Sequence, residues 1–372
     1  MHNHTTLQFV TLPTILTNWP WPRKLSEYYQ DAGAESAAWV ESFHPFHGRS
    51  IEAFRKCDFS LLASLTYSPR EKSLSSLFPS TSHYVLIFCP AIIRLAWDLM
   101  HLFFVFDEYT DVEDKRGAQA VHQVIREILA NPEEPSQQKD ACVSAIARDF
   151  WLRARASVPA GASCIRHFVD AWTSYTAAVI EEADDRANKR YRSFEDYMRI
   201  RKNTAGGAPT LALTEFGLDL PDEVFDHPIV ASLRDRAETL IVLVNDIYSF
   251  IMEKSRGLAI HNGVEIVMRE RNISIQEAMD WLGNYCNELA GSFLIEFESL
   301  PSWGPDVDAR VAKYVNGLGQ WVRGIDDWHF ESARYFGSAG PVIKQTRIAG
   351  LAPPSRGYVS RCSRRGSTYD TM

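Results

Sequence analysis

The chain has 372 residues, 45% hydrophobic and 23% charged, an ordinary globular balance with ample material for a core. Its formal charge of −8 argues against a nucleic-acid partner, because a DNA or RNA binder carries a basic face. The six cysteines (Cys57, Cys89, Cys142, Cys164, Cys286, Cys362) form no CxxC pair and suit neither a zinc site nor a disulfide framework, so reduced thiols and a cytoplasmic location are expected.

In chain order, the stretch through Arg23 lacks the basic segment, apolar run and cleavage site of a signal peptide. Residues 68–83 are rich in Ser and Pro and read as a loop. The apolar stretch from Tyr84 to Trp97 is broken by Pro90 and Arg94 and is too short to span a bilayer, so no stable membrane insertion is expected. Over 94–111, Leu95, Leu99, Leu102, Phe103 and Phe106 recur at three- and four-residue spacings and predict a helix. Residues 203–209 (NTAGGAP) break a helix, because paired glycines and a proline stop regular backbone bonding. Long helices are predicted again over 231–255 and 309–335. The tail 352–372 is polar and basic and reads as disordered. Period-two strand patterns are absent, which points to an all-α fold with one domain over 1–351.

The first site candidate ends the 94–111 helix. Asp107 and Asp111 are four apart, so their carboxylates share a face about one turn apart. Like charges at that spacing destabilise a helix by a few tenths of a kcal/mol, so the pair calls for another cause. A divalent cation between them supplies it, since Mg²⁺ binds through one or two carboxylates plus water and substrate phosphates. The plain alternative is a solvated helix end, with Glu113 and Asp114 continuing the acidity.

The second candidate is a polar stripe. Asn245, Ser249 and Glu253 recur at i, i+4 and i+8 on a helix otherwise built from Ile, Val, Leu, Phe and Met. An unpartnered buried polar group costs about 1–3 kcal/mol, so three in a row require an ion or a dedicated hydrogen-bond network. Asp246 lies off the stripe and is expected to make a structural bond.

Together these residues carry a specific resemblance. Asp107–Asp111 resembles the D(D/E)xxD motif of class I terpene synthases, and Asn245, Ser249 and Glu253 match that family's N-D-x-x-S-x-x-x-E motif position for position. Arg334-Tyr335 resembles the Arg-Tyr pair that fungal sesquiterpene synthases use on the diphosphate. The segment Tyr197-Met-Arg-Ile-Arg resembles the one carrying the family's diphosphate-sensing arginine, either Arg201, the preferred choice, or Arg199. Lys254 and Arg256 are further basic candidates. Met252 departs from the family, many fungal members of which carry a lysine before the motif's glutamate. Trp19-Pro-Trp-Pro-Arg23, Glu35-Ser36, Trp39 and His261-Asn262 extend the likeness to basidiomycete enzymes over most of 10–350, with an atypical segment at 68–93.

The resemblance implies a class I terpenoid synthase bundle around a central cavity, with the two motifs on opposing helices. It implies Mg²⁺-dependent ionisation of farnesyl diphosphate and cyclisation of the cation to a C15 product by a monomer or homodimer. Three Mg²⁺ ions are implied, with Mn²⁺ as a substitute: two near Asp107 and Asp111, one held by Asn245, Ser249 and Glu253. Arg201, Arg334 and Tyr335 would act on the diphosphate. Aromatic faces stabilise cations, and Phe104, Trp321 and Trp328 sit at suitable helix positions, although plain core packing accounts for each equally well. Two rivals stand beside this reading. One is a non-catalytic prenyl-lipid-binding or scaffold protein derived from the enzyme. The other is a prenyltransferase, which would need a second aspartate-rich motif where Asn245, Ser249 and Glu253 stand.

Overall fold

The computed structural model describes residues 8–67, 90–111, 113–134 and 142–351. Residues 68–89 of the atypical segment and the tail 352–372 lie outside the described residues. Among those described, the chain is almost wholly helical. The first helices are α1 (Tyr29–Ser42), α2 (Arg49–Lys56), α3 (Phe59–Thr66), α4 (Pro90–Thr110), α5 (Lys115–Ala130) and α6 (Cys142–Ala156). The middle of the chain forms α7 (Ser163–Asn188), α8 (Phe194–Thr204), α9 (Gly207–Leu213), α10 (Asp222–Phe225) and α11 (Pro228–Arg256). Then follow α12 (Gly263–Arg271), α13 (Ile275–Glu298), α14 (Pro305–Glu331) and α15 (Gly340–Thr346).

Local chemistry starts several of these helices. Asp58, Asp114 and Ser193 each accept a backbone N–H of the first turn of α3, α5 and α8, and Ser274 and Glu277 form a reciprocal capping box at α13. Proline stands in the first turn of α11 and α14, where its missing N–H costs nothing. The expected break at 203–209 separates α8 from α9. Gly206 sits there at φ +67, close enough to Phe103 that a Cβ would lie 3.3 Å from the ring.

Burial follows the helical period. On α4, Leu95, Leu99, Leu102 and Phe106 are buried against α1, α3 and α6. The helix α14 packs between α3 and α11, and its small residues set the approach. A Cβ on Gly324 would lie 2.7 Å from the Leu65 carbonyl, and one on Gly319 would enter the Trp21 ring. That ring belongs to an N-terminal strap laid across α14. Trp19 Nε1 donates to the Gly319 carbonyl (2.9 Å), Trp21 Nε1 to Asn316 Oδ1 (3.1 Å), and Arg323 Nε to the Trp21 carbonyl (2.9 Å).

Two expectations need correction. Strands were not expected, yet β1 (Gln8–Thr11) pairs antiparallel with β2 (Ile348–Leu351), Gln8 opposite Leu351. Four-residue strands so far apart in sequence have no hairpin turn to announce them. The helix expected over 309–335 ends at Glu331, because Ser332 adopts an extended backbone (φ −82, ψ 160). Arg334 and Tyr335 therefore stand on the segment that follows the helix.

Candidate active site

Side chains from α4, α7, α8, α11 and α14, with the segment after α14, line one cleft. It encloses about 1310 Å³ of space, the open solvent at its mouth included.

One wall is the end of α4. Asp107 and Asp111 face the cleft one helical turn apart, with Glu108 beside them. Their support comes from α7, whose Tyr175, Val179, Glu182 and Arg186 form a stripe at helical spacing. The Tyr175 hydroxyl donates to Asp107 Oδ1 at 2.6 Å. Arg186 Nη2 donates to the carbonyls of Thr110 (3.3 Å) and Glu113 (3.2 Å), closing the C-terminal end of α4, and its other nitrogen pairs with Glu182 at 3.5 Å.

The other wall is α11. Asn245, Met252 and Glu253 reach the cleft, while Ser249 is fully buried and absent from its lining. Asn262, the N-cap of α12, ties this wall together: its Nδ2 donates to the Asp246 carbonyl (2.9 Å), Glu253 Oε2 (3.0 Å) and Ser249 Oγ (3.3 Å). Asp246, fully buried behind the stripe, makes the structural bonds expected of it. It accepts from the Tyr197 hydroxyl, from Arg201 Nε (3.0 Å) and from the Gly263 N–H (2.9 Å). Arg201 thereby reaches the cleft with its Nη2 donating to Asn245 Oδ1 at 2.9 Å. Arg199 points to Glu181 at the surface, with 60% of its side chain exposed. Lys254 turns away to Glu265 (2.8 Å), whereas Arg256 lines the cleft.

Arg334 and Tyr335 complete the enclosure. The guanidinium lies 4.8 Å over the Phe104 ring, and its Nε donates to the Tyr335 hydroxyl at 3.2 Å. Phe104 and Trp328 pack 5.7 Å apart in the same lining. Trp321 is not in the lining: it sits edge-on to Tyr67 in the core, so packing accounts for it.

Residues 98–290 match the family model described as "Terpene synthase family 2, C-terminal metal binding", a span that contains both polar walls. A sesquiterpene synthase of Cyclocybe aegerita is 46% identical over 97% of this chain and 95% of its own length. The chain belongs to the class I terpene synthase family. Within it the relatives are fungal sesquiterpene synthases, including a delta(6)-protoilludene synthase of Stereum hirsutum (38% identical, 93% of this chain, 89% of that one). Germacradien-4-ol synthase from Streptomyces citricolor shares the fold, with a TM-score of 0.68 at 21% identity over 83% of this chain and 98% of that one.

The donor chemistry of this terpene synthase cleft fits a divalent cation. Among the described residues, no three His, Cys, Asp or Glu side chains converge on one point. The donors are instead divided between two walls, and all are hard oxygens: carboxylates, an amide and a hydroxyl. Such a set suits a magnesium-like ion that shares its shell with water and substrate oxygens. The electrostatics fit as well. Burial, followed by the pull of Tyr175 and Arg334 in the opposite sense, leaves the Asp107 carboxyl raised to about 6. Asp111 stands at the rim, yet the crowded surroundings of the cleft and then the Asp107 charge push it well above the usual carboxylate range. Burial also raises Glu253. Glu182 goes the other way: burial opposes its charge, but His261, Arg201 and Arg186 together hold it below the ordinary value.

Tyr175, Glu182, Arg186, Asn262 and His329 were not singled out for roles from the sequence. The α7 stripe carries a readable signal, because Tyr175, Val179, Glu182 and Arg186 recur at i, i+4, i+7 and i+11, one face of a helix. Nothing local marks His329.

Proposed function

We propose that this sesquiterpene synthase ionises farnesyl diphosphate in the cleft and closes the resulting cation to a C15 product. The observation that carries the reading is the confrontation of two oxygen-donor walls, with Arg201 and Arg334 beside them and an aromatic lining below. The printed activities of the relatives support it too. A carboxylate wall alone would repel a diphosphate, so positive charge has to accompany the substrate. When bound, Mg²⁺ ions, three by the family's pattern, supply charge that stabilises the leaving diphosphate. Asp107 and Asp111 would hold two of them and Asn245, Ser249 and Glu253 the third. Ser249 would have to turn from Asn262 toward the cleft to contribute.

The chain's own part in ionisation is positioning and charge. The Arg201 and Arg334 forks and the Tyr335 hydroxyl donate to diphosphate oxygens as the allylic C–O bond breaks and its electron pair leaves with the diphosphate. The cation left behind is sheltered from water against Phe104 and Trp328, whose π faces attract it. Incubation of the purified chain with farnesyl diphosphate and Mg²⁺, followed by gas chromatography–mass spectrometry, is expected to give a C15 hydrocarbon or alcohol. None forms without Mg²⁺ or in Asn245→Ala. A folded chain that yields no terpene from any C10, C15 or C20 diphosphate would return the case to the non-catalytic prenyl-lipid binder.

Cation binding is also expected to depend on pH. Asp107 is raised to about 6 in the metal-free chain, so the folded state retains a proton that the unfolded state releases near pH 4. Stability of the metal-free fold therefore falls as pH rises from the ordinary carboxylate range through about 6, and stays lower above it. Mg²⁺ needs the ionised carboxylates, so it competes with those protons. The rise in melting temperature on adding Mg²⁺ should be larger at about pH 7.5 than at about pH 5. Equal rises at both would show that Asp107 and Asp111 are not the groups that meet the ion.

A further inference from the structure

We propose that His329 is a positioning residue that fixes the Asn245 amide and, through Tyr335, couples the metal-binding wall to the diphosphate-binding pair. The inference rests on the site assignment above and deepens it.

His329 is fully buried on α14, and no motif contains it. Its Nδ1 lies 2.6 Å from the Ile325 carbonyl oxygen, which can only accept, so Nδ1 carries the ring proton. In the neutral ring Nε2 is then a bare acceptor, and it lies 3.2 Å from Asn245 Nδ2. The same amide nitrogen donates to the Tyr335 hydroxyl oxygen at 3.0 Å. Both amide hydrogens are thereby committed. A flipped amide would set its oxygen against the bare Nε2, acceptor against acceptor. The Asn245 Oδ1 is therefore held on the opposite side, where it meets Arg201 Nη2 at 2.9 Å and the cleft.

The same imidazole stacks on the Tyr335 ring, centroids 4.8 Å apart and planes 21° from parallel. One buried ring thus orients the first ligand of the α11 stripe and the tyrosine that contacts Arg334. A phenylalanine would fill this volume without burying two ring nitrogens. The acceptor at Nε2 is what distinguishes histidine here.

The test compares His329→Phe, which keeps a ring on Tyr335 but has no acceptor, with His329→Gln, whose amide can offer an acceptor near the Nε2 position. Two quantities are measured: the Mg²⁺ concentration that half-saturates turnover, and calorimetric binding of inorganic diphosphate in the presence of Mg²⁺. His329→Phe is expected to raise the half-saturating Mg²⁺ about tenfold and weaken diphosphate binding by a similar factor, the worth of one hydrogen bond. His329→Gln is expected to recover most of both. Should His329→Phe fail to fold, His329→Asn takes its place, because its shorter amide reaches the Ile325 carbonyl but not Asn245. Unchanged Mg²⁺ dependence and diphosphate binding in the acceptor-less variant would overturn the proposal. Equal impairment in that variant and in His329→Gln would also overturn it, since restoring an acceptor would then recover nothing. Asn245→Ala separates the two levels of inference. Full turnover in that variant would remove the site reading itself, whereas its inactivity beside an unaffected His329→Phe would remove only the role of His329.

Discussion

Replacing Asp246 with alanine is expected to destabilise the fold by about 3–5 kcal/mol, the cost of stripping a buried charge of its partner. Asp246 is fully buried, and only 15% of the Arg201 side chain is exposed, so solvent can do little for the arginine left behind. The loss extends beyond one ion pair. The Tyr197 hydroxyl and the Gly263 N–H both donate to the same carboxylate, so α8, α11 and the start of α12 lose a common anchor. Urea unfolding followed by circular dichroism measures the effect. A loss below about 1 kcal/mol would mean that water reaches this pair as it reaches surface ones. Asp246→Asn, which keeps the shape and an acceptor, is expected to fall between alanine and the parent. Its remaining deficit reports the charge itself.

Arg334→Leu is expected to behave in the opposite way, with turnover falling about 10²–10³-fold and the fold largely intact. Its charged partner is distant, Glu108 at 3.9 Å, and the residue stands on the segment after α14 rather than inside a helix pair. What it contributes is a fork of donors held over Phe104, and those donors matter only when charge develops on a diphosphate. Arg334→Lys keeps the charge without the fork and should recover only part of the rate. Steady-state kinetics with farnesyl diphosphate, beside a melting curve, separates the two effects. A turnover loss under tenfold in Arg334→Leu would assign the leaving-group contact to Arg201 instead.

The contrast between these arginines shows what the sequence made legible. Asp107 with Asp111, and Asn245 with Glu253, could be read directly, because a helix converts four-residue spacing into a shared face. The structure brings both pairs to one cleft. Ser249 obeys the same spacing but faces Asn262, a partner that no period on α11 could announce. The choice between Arg199 and Arg201 had no local answer either. Which of them reaches the cleft depended on which one met Asp246, a residue of another helix. His329, Asn262 and Tyr175 all act across helix pairs, so their positions follow from packing and not from any pattern in their neighbours. The β1–β2 pairing was hidden for the same reason, its strands lying at opposite ends of the described chain.

The N-terminal strap has a consequence during synthesis. Trp19 and Trp21 bond to Gly319 and Asn316, partners 300 and 295 residues further along the chain. At ribosomal speeds of about 5–20 residues per second, roughly 15–60 s separate the strap from the helix that covers it. For most of that interval the two tryptophans also lack Phe293 and Phe297, against which they later pack. The strap is thus made long before the helix it lies across, and it reaches its native place only after most of the described chain has followed it.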